Sequence, residues 1–277
     1  MYAFNVLEVY SKREVMETFS LYDFPEIYDQ VRTPDQYTFE SIYKHICDQL
    51  GRAPRSVMDP ACGPATWLSL FADKGVLVAG NDISEEMIAN AQEKCAGKAI
   101  ELIVGDMCDL QFKKGPFEVS FELAGTCGII PDKKTFQRFL RSVVNHTSSQ
   151  GIILLTVFFH EMDMYTEYPW LVGEWGPFGV YPQGKAWLKY EVLSTEPELN
   201  LERVRRTVNT EGVAQCSCPL IDEYNMYSWS EESFWQMISE IPELSFVSSF
   251  RYDEPEGIVF ATKGELTGEV TVVLRRL

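Results

Sequence analysis

Four short apolar segments in the first half of the chain each run into an acidic residue, and this recurrence restricts the possible folds more than any other feature. SVMD stops at Asp59, VLVAGND at Asp82, IELIVGD at Asp106, and FEVSFELA carries Glu122 near its end. Between them the apolar period changes. TWLSLFADKG at 66–75 reads as a helix ending at Gly75, and SEEMIANAQEKCAG at 84–97 as another with Ser84 as its N-cap. A helix near 132–147 and the run GIILLTVFF at 151–159 continue the series. Ahead of it, YTFESIYKHICDQL at 37–50 sets Phe39, Ile42, Tyr43, Ile46 and Leu50 at helical spacing. Strands alternating with helices across short connections predict an α/β chain on a doubly wound, mostly parallel sheet. Ligands of such sheets bind beyond the carboxyl ends of the strands. One acid there is an ordinary helix cap, whereas four in succession point to a binding edge.

The loop after the first strand, DPACGPAT at 59–66, is nearly stripped of side chains around Gly63, so a ligand is expected to approach its backbone closely. Asp59 opposes a phosphate there, and the single glycine falls short of the G-x-G-x-x-G run of a nicotinamide or flavin site. The whole chain carries 41 acidic against 24 basic residues, a formal net charge of -17, so nucleic acid is excluded as an expected partner. With 45% hydrophobic residues among 277, the chain can bury the core of one large domain, or of one domain with an insertion. The seven cysteines are odd in number and unevenly spaced, unlike a disulfide framework. No apolar run reaches the roughly 18 residues of a spanning helix, and MYAFNVLEVYSKREV lacks the pattern of a secretory leader. A cytoplasmic protein with reduced thiols and no membrane partner is expected.

VMDPACGPAT, NDIS-EEM and GDM together resemble the motifs of the class I S-adenosylmethionine-dependent methyltransferases over about residues 20–160. The resemblance implies a Rossmann-like seven-stranded sheet, S-adenosyl-L-methionine as methyl donor and S-adenosyl-L-homocysteine as product. It implies that Asp59, Ala61 and Gly63 form the loop at the methionyl end, and that Asp82 accepts the ribose hydroxyls with Ile83 and Met87 flanking the adenine. Asp106 and Met107 meet the adenine amino edge, and Glu122 and Leu123 at the fourth strand end complete the cofactor set. The segment SLYDFPEIYDQVR at 20–32 resembles a cap that closes over the methionyl end, with Tyr22, Tyr28 and Arg32 as its candidate residues. The sequence departs from the family pattern at Ala61 and Ala65, where glycine is frequent, and at Glu118, where the family often has Asp. A non-catalytic cofactor-binding subunit with the same fold is the alternative of a different class.

Residues 160–228 have no place in a bare methyltransferase sheet, and about 70 residues is too long for an idle loop. WLKYEVLST at 187–195 and LERVRRTVNT at 201–210 alternate apolar and polar residues, predicting antiparallel strands. Similar strands form a lid over the acceptor in the glycine and amino-sugar N-methyltransferases. The expected layout is therefore an N-terminal helical cap at 1–50, a core at 51–159 and 229–277, and a lid at 160–228 over a small-molecule methyl acceptor. The stretch MYTEYPWLVGEWGPFGVYPQGKAW is dense in aromatics without helical period, which suits a pocket for an aromatic or cationic acceptor. His160, Glu122 and Tyr28 are the candidates to handle an acceptor proton. Cys216 and Cys218 read as one face of a strand rather than as a metal site. After the helix SWSEESFWQMISEI, LSFVSSFRYD and GIVFATKG are expected as the last two strands, and the lid edges allow a homodimer.

Overall fold

The computed structural model describes residues 19–159, 165, 167–180, 183–213, 216, 219–253 and 257–277. The alternating segments fold as read. β1 (Ser56–Asp59), β2 (Leu77–Asp82), β3 (Ile100–Val104), β4 (Phe117–Glu122) and β5 (Thr147–Phe159) alternate with α3 (Thr66–Asp73), α4 (Glu85–Lys94) and α5 (Lys133–His146). Ser84 caps α4 by accepting from the Met87 N–H, as its position predicts. α1 (Pro25–Arg32) and α2 (Gln36–Leu50) precede the core.

In the C-terminal part, β10 (Leu244–Asp253) and β11 (Gly257–Phe260) follow α6 (Glu231–Ser239) and form the expected hairpin. They are not the last strands. β12 (Gly268–Arg276) inserts between β10 and β5, antiparallel to both. The sheet order is β11-β10-β12-β5-β4-β1-β2-β3, so β12 is an eighth strand beyond the seven expected, and the four-residue β11 forms one edge. The chain turns back on itself between β1 and β4, which puts the binding crevice above the ends of those strands.

The two faces of the sheet are covered by different helices. Phe136, Phe139 and Leu140 of α5 and Phe234 and Met237 of α6 pack on one face, against Leu155, Val157 and Val272. Phe39, Ile42 and Ile46 of α2 join Leu68 and Phe71 of α3 on the other, against Val57, Val78 and Phe121. α2 therefore packs with the core, and among the described N-terminal residues the 3-10 turn Leu21–Asp23 and α1 lie apart from it. Their Leu21, Ile27 and Val31 are buried with Val180, Ala186, Leu188 and Val208 of the inserted sheet.

That second sheet has four antiparallel strands in the order β6 (Trp170–Val180), β7 (Gly184–Glu196), β8 (Leu201–Glu211) and β9 (Leu220–Tyr227). β7 and β8 are the strands the alternation predicts. β6 lies in the aromatic stretch, where its register with β7 shifts twice and blurs the period-2 pattern. At the amino-terminal side of the core sheet, Glu118 takes paired hydrogen bonds of 2.9 Å from Arg52 and one of 2.8 Å from the Arg55 side chain. These guanidinium contacts hold its carboxyl low, at about 2, and account for a glutamate at that position. No helix among the described residues is long and apolar enough to cross a membrane.

Candidate functional site

The β1 loop is shaped by its small residues. Gly63 adopts φ +51°, a left-handed conformation that favours glycine, and Ala65 follows at φ 58°. The turn sends the Gly63 N–H to Asp82 at 2.7 Å and the Ala61 N–H to Asp59 at 2.9 Å. Cys62 is buried beneath the loop, where a Cβ on Gly80 would lie 2.6 Å from its sulfur. Asn81, which the sequence reading passed over, joins two loops by donating to the carbonyls of Pro60 and Gly105 at 2.9 Å each. Its own Oδ1 is buried without a partner.

Above these loops lies a cavity of about 1200 Å³ lined by Ala61, Gly63, Asp82, Ile83, Met87, Asp106 and Met107, with Tyr22 and Tyr28 from the cap. Lid residues from Ser194 to Tyr227 form its far wall. Ile83 is 80% exposed, an apolar side chain left open at the cavity. Asp82 uses its two oxygens for the Gly63 and Ser84 N–H groups, so with about four acceptor positions per carboxylate it retains capacity for further donors.

Neither Asp59 nor Glu122 lines this cavity, but both are buried acids, and Asp59 is in electrostatic reach of Asp82 and Glu122. Asp59 is 6% exposed and Glu122 1% exposed, and burial pushes the Asp59 carboxyl well above the ordinary range, with Glu122 and Asp82 adding to the rise. Burial also raises Asp82, against the opposing pull of its loop N–H donors. Among the described residues no Lys, Arg or His stands within ion-pair distance of any of the three acids. Glu122 accepts from the Ala124, Thr126 and Cys127 N–H groups at 2.8, 3.0 and 3.2 Å, so its carboxylate holds the loop after β4 in place.

A second cavity, of about 500 Å³, lies between the core and the lid. Leu123 to Thr126, Phe158 and Phe159 line it from the core, with Gly268 and Glu269 from β12. Trp175, Phe178, Tyr190, Val192 and Met226 line it from the lid. Arg32 belongs to this cavity and not to the first, and its Nε is buried without a partner. Tyr22, Tyr28, Thr126, Ile129 and Tyr224 border both cavities. Tyr28 keeps part of its surface on the cavities while protein encloses the hydroxyl closely enough to raise its pKa to about 12.

The partition between the cavities is held by Arg206 of β8. Only 1% exposed, it donates to Asp222 at 2.8 and 3.1 Å and lies over the Tyr22 ring at 4.9 Å. Asp222 in turn accepts from the Ser20 hydroxyl and the Leu21 N–H, tying the cap to the lid. On the core side Asp29 of α1 bonds Thr66 and Lys94, which seats the cap over the β1 loop. His160 and Cys218 lie outside the described residues; Cys216 is buried.

Residues 57–151 match the family model described as a methyltransferase domain. A solved S-adenosylmethionine-dependent methyltransferase from Clostridium acetobutylicum is similar over 92% of this chain and 98% of its own, at 15% identity and a TM-score of 0.70. A sugar N-methyltransferase from Streptoalloteichus matches over 100% of both chains, at 15% identity and a TM-score of 0.66. An amino pentose methyltransferase from Micromonospora echinaspora, solved with S-adenosylmethionine bound, matches over 94% of this chain and 98% of its own, at 16% identity and a TM-score of 0.64. The protein thus carries a methyltransferase domain, at residues 57–151, on the class I S-adenosylmethionine-dependent methyltransferase fold.

Proposed function

We propose that the protein transfers a methyl group from S-adenosylmethionine in the first cavity to the nitrogen of a small amine held in the second. The observation that carries this reading is the acidic floor of the first cavity, where Asp82 and Asp106 line the wall and the buried Asp59 and Glu122 stand in electrostatic reach behind it, with no protein cation within ion-pair distance of Asp59, Asp82 or Glu122 among the described residues. A cavity with that charge suits a donor bearing an ammonium and a sulfonium, and repels the pyrophosphate of a dinucleotide. Asp59 faces the ammonium in this reading, and Asp82 keeps acceptor capacity for the ribose hydroxyls. Ile83, Met87 and Met107 cover the adenine faces, with Asp106 at its edge. Two structural neighbours are described as acting on a sugar nitrogen or an amino pentose, and the aromatic lining of the second cavity suits an amine as well.

S-adenosylmethionine supplies an electrophilic methyl carbon whose bond to sulfur breaks with the electron pair staying on sulfur. The protein's part is alignment: the cap and lid set the acceptor nitrogen in line at roughly 3–3.5 Å and keep water out. Tyr28, protonated at neutral pH, orients groups at the junction by hydrogen bonding and takes up no proton. Arg32 falls on the acceptor side. Residues 160–228 act as the lid, and 51–159 with 229–277 as the catalytic core.

The test is a transfer assay with labelled S-adenosylmethionine across paired amines and alcohols. Methylation of amines in preference to their alcohol counterparts is expected. Binding of nicotinamide dinucleotides instead of S-adenosylhomocysteine would overturn the reading.

A further inference from the structure

We propose that Glu269 is the residue that selects a protonated amine in the second cavity and takes its proton before transfer, an inference that rests on the reading of that cavity as the acceptor site. Thr271 pairs with Thr156 across β12 and β5, and Glu269 pairs with Phe158, so each pair projects to one face of the sheet. Successive pairs on that face run from the buried Leu154 and Val273, through the hydrogen-bonded hydroxyls of Thr156 and Thr271 at 3.1 Å, to Phe158 and Glu269 at the cavity. Polarity therefore rises along the row as it leaves the core, and ends in a carboxylate beside an aromatic ring.

Glu269 is exposed, yet the space it faces is the cavity, and the surrounding protein raises its pKa by desolvation. Among the described residues its carboxylate has neither an ion-pair partner nor a hydrogen bond. The charged residues that share its cavity are Arg32, Glu202 and Arg206, and Glu122 lies within electrostatic reach. Arg32 opposes the rise and Glu122 adds to it. Arg206 is spent on Asp222, and Arg32 stands beyond 4.0 Å, since the two form no salt bridge. An unpaired carboxylate in an aromatic-lined cavity is costly unless a ligand supplies the cation.

A proton passes from the acceptor ammonium to a Glu269 Oε, leaving the electron pair on nitrogen. That pair forms the N–C bond as the methyl–sulfur bond breaks toward sulfur, and the positive charge moves from sulfonium to product ammonium. Methylation thus requires a carboxylate whose affinity for protons has been raised toward that of the amine, and burial does this.

The probes are phenethylamine and 2-phenylethanol, matched in shape and differing only in the amine. Each is titrated by calorimetry at neutral pH into the full chain saturated with S-adenosylhomocysteine, for the wild type and Glu269→Gln. The expected result is at least about a tenfold preference for the amine in the wild type, lost in the variant, with adenosylhomocysteine affinity unchanged and the melting temperature no lower. Equal binding of both probes to the wild type, or an amine preference that survives Glu269→Gln, overturns the proposal. Failure of the wild type to bind adenosylhomocysteine overturns the underlying acceptor-site reading, and is separable because it appears before either probe is added. Should Glu269→Gln unfold, Glu269→Asp in the same titration is expected to keep a weakened preference; an unweakened one would count against a carboxylate reach set by this position.

Discussion

The two cavities are built in opposite ways. The floor of the first is made by one contiguous stretch of backbone, residues 60–107, in which small residues and strand-end acids come close to a ligand, while the cap and the inserted sheet close over it. The second is made by side chains drawn from the cap, the β4 loop, β5, β12 and the lid, which are far apart in sequence. Local chain geometry defines the first, so any methyltransferase of this fold can share it. Tertiary packing defines the second, so it is where one relative can differ from another.

The partition between them gives the largest expected effect. Arg206→Met leaves Asp222 buried with its charge uncompensated, so unfolding in urea should lose about 3–5 kcal/mol. A change within about 1 kcal/mol would mean that the cap and lid are held by their apolar contacts alone. The floor of the first cavity comes next. Gly80→Ala sets a Cβ 2.6 Å from the Cys62 sulfur and 2.7 Å from Leu68, and overpacking of this kind costs about 1–3 kcal/mol. Because Cys62 carries the β1 loop, adenosylhomocysteine affinity should fall with stability, while phenethylamine binding to the cofactor-saturated protein should not.

These two outcomes bear on what the sequence could disclose. The acids Asp59 and Asp82, the last residues of β1 and β2, Asp106 two residues past β3, and the loop at Gly63 were legible because a parallel strand delivers its carboxyl end to the ligand edge, and position along the strand is a local property. Glu269 was missed for the complementary reason. β12 runs antiparallel and enters from the ligand side, so its second residue, and not its last, reaches the cavity. The strand was itself hidden behind the β10–β11 hairpin, whose turn and apolar runs read as the end of the sheet. Likewise Phe158 sits in an apolar run that looks like core, and only the glycines at 125 and 128, where a Cβ would approach its ring at 2.8 and 3.0 Å, mark the space it needs. Glu122 was recognised as a site residue, but its three loop N–H partners depend on a turn whose geometry the sequence does not display.

A smaller effect follows from pH. Asp59 and Asp82 have folded-state pKa values raised above their unfolded ones, so the empty folded protein holds protons that the unfolded chain has released. Its stability should therefore fall as pH rises from the ordinary carboxylate range upward through the raised values. S-adenosylmethionine, bringing positive charge, should stabilise more at the upper end of that range, and a melting-temperature increment that shrinks with pH would contradict the assignment of these acids to the donor. The smallest effect is local: Ser84→Ala removes the cap of α4 and should cost about 1 kcal/mol by thermal unfolding, with little change at the second cavity. A loss of acceptor binding there would mean the two cavities are coupled through α4.

The division of labour between the cavities stands on the donor occupying the first. Calorimetry of S-adenosylhomocysteine against the wild type and Asp82→Ala tests this directly. A charged hydrogen bond is worth about 1.5–3 kcal/mol, so the variant should bind roughly 10- to 150-fold more weakly while melting within a few degrees of the wild type. A wild type that ignores adenosylhomocysteine, or a variant that binds it equally well, would contradict the account.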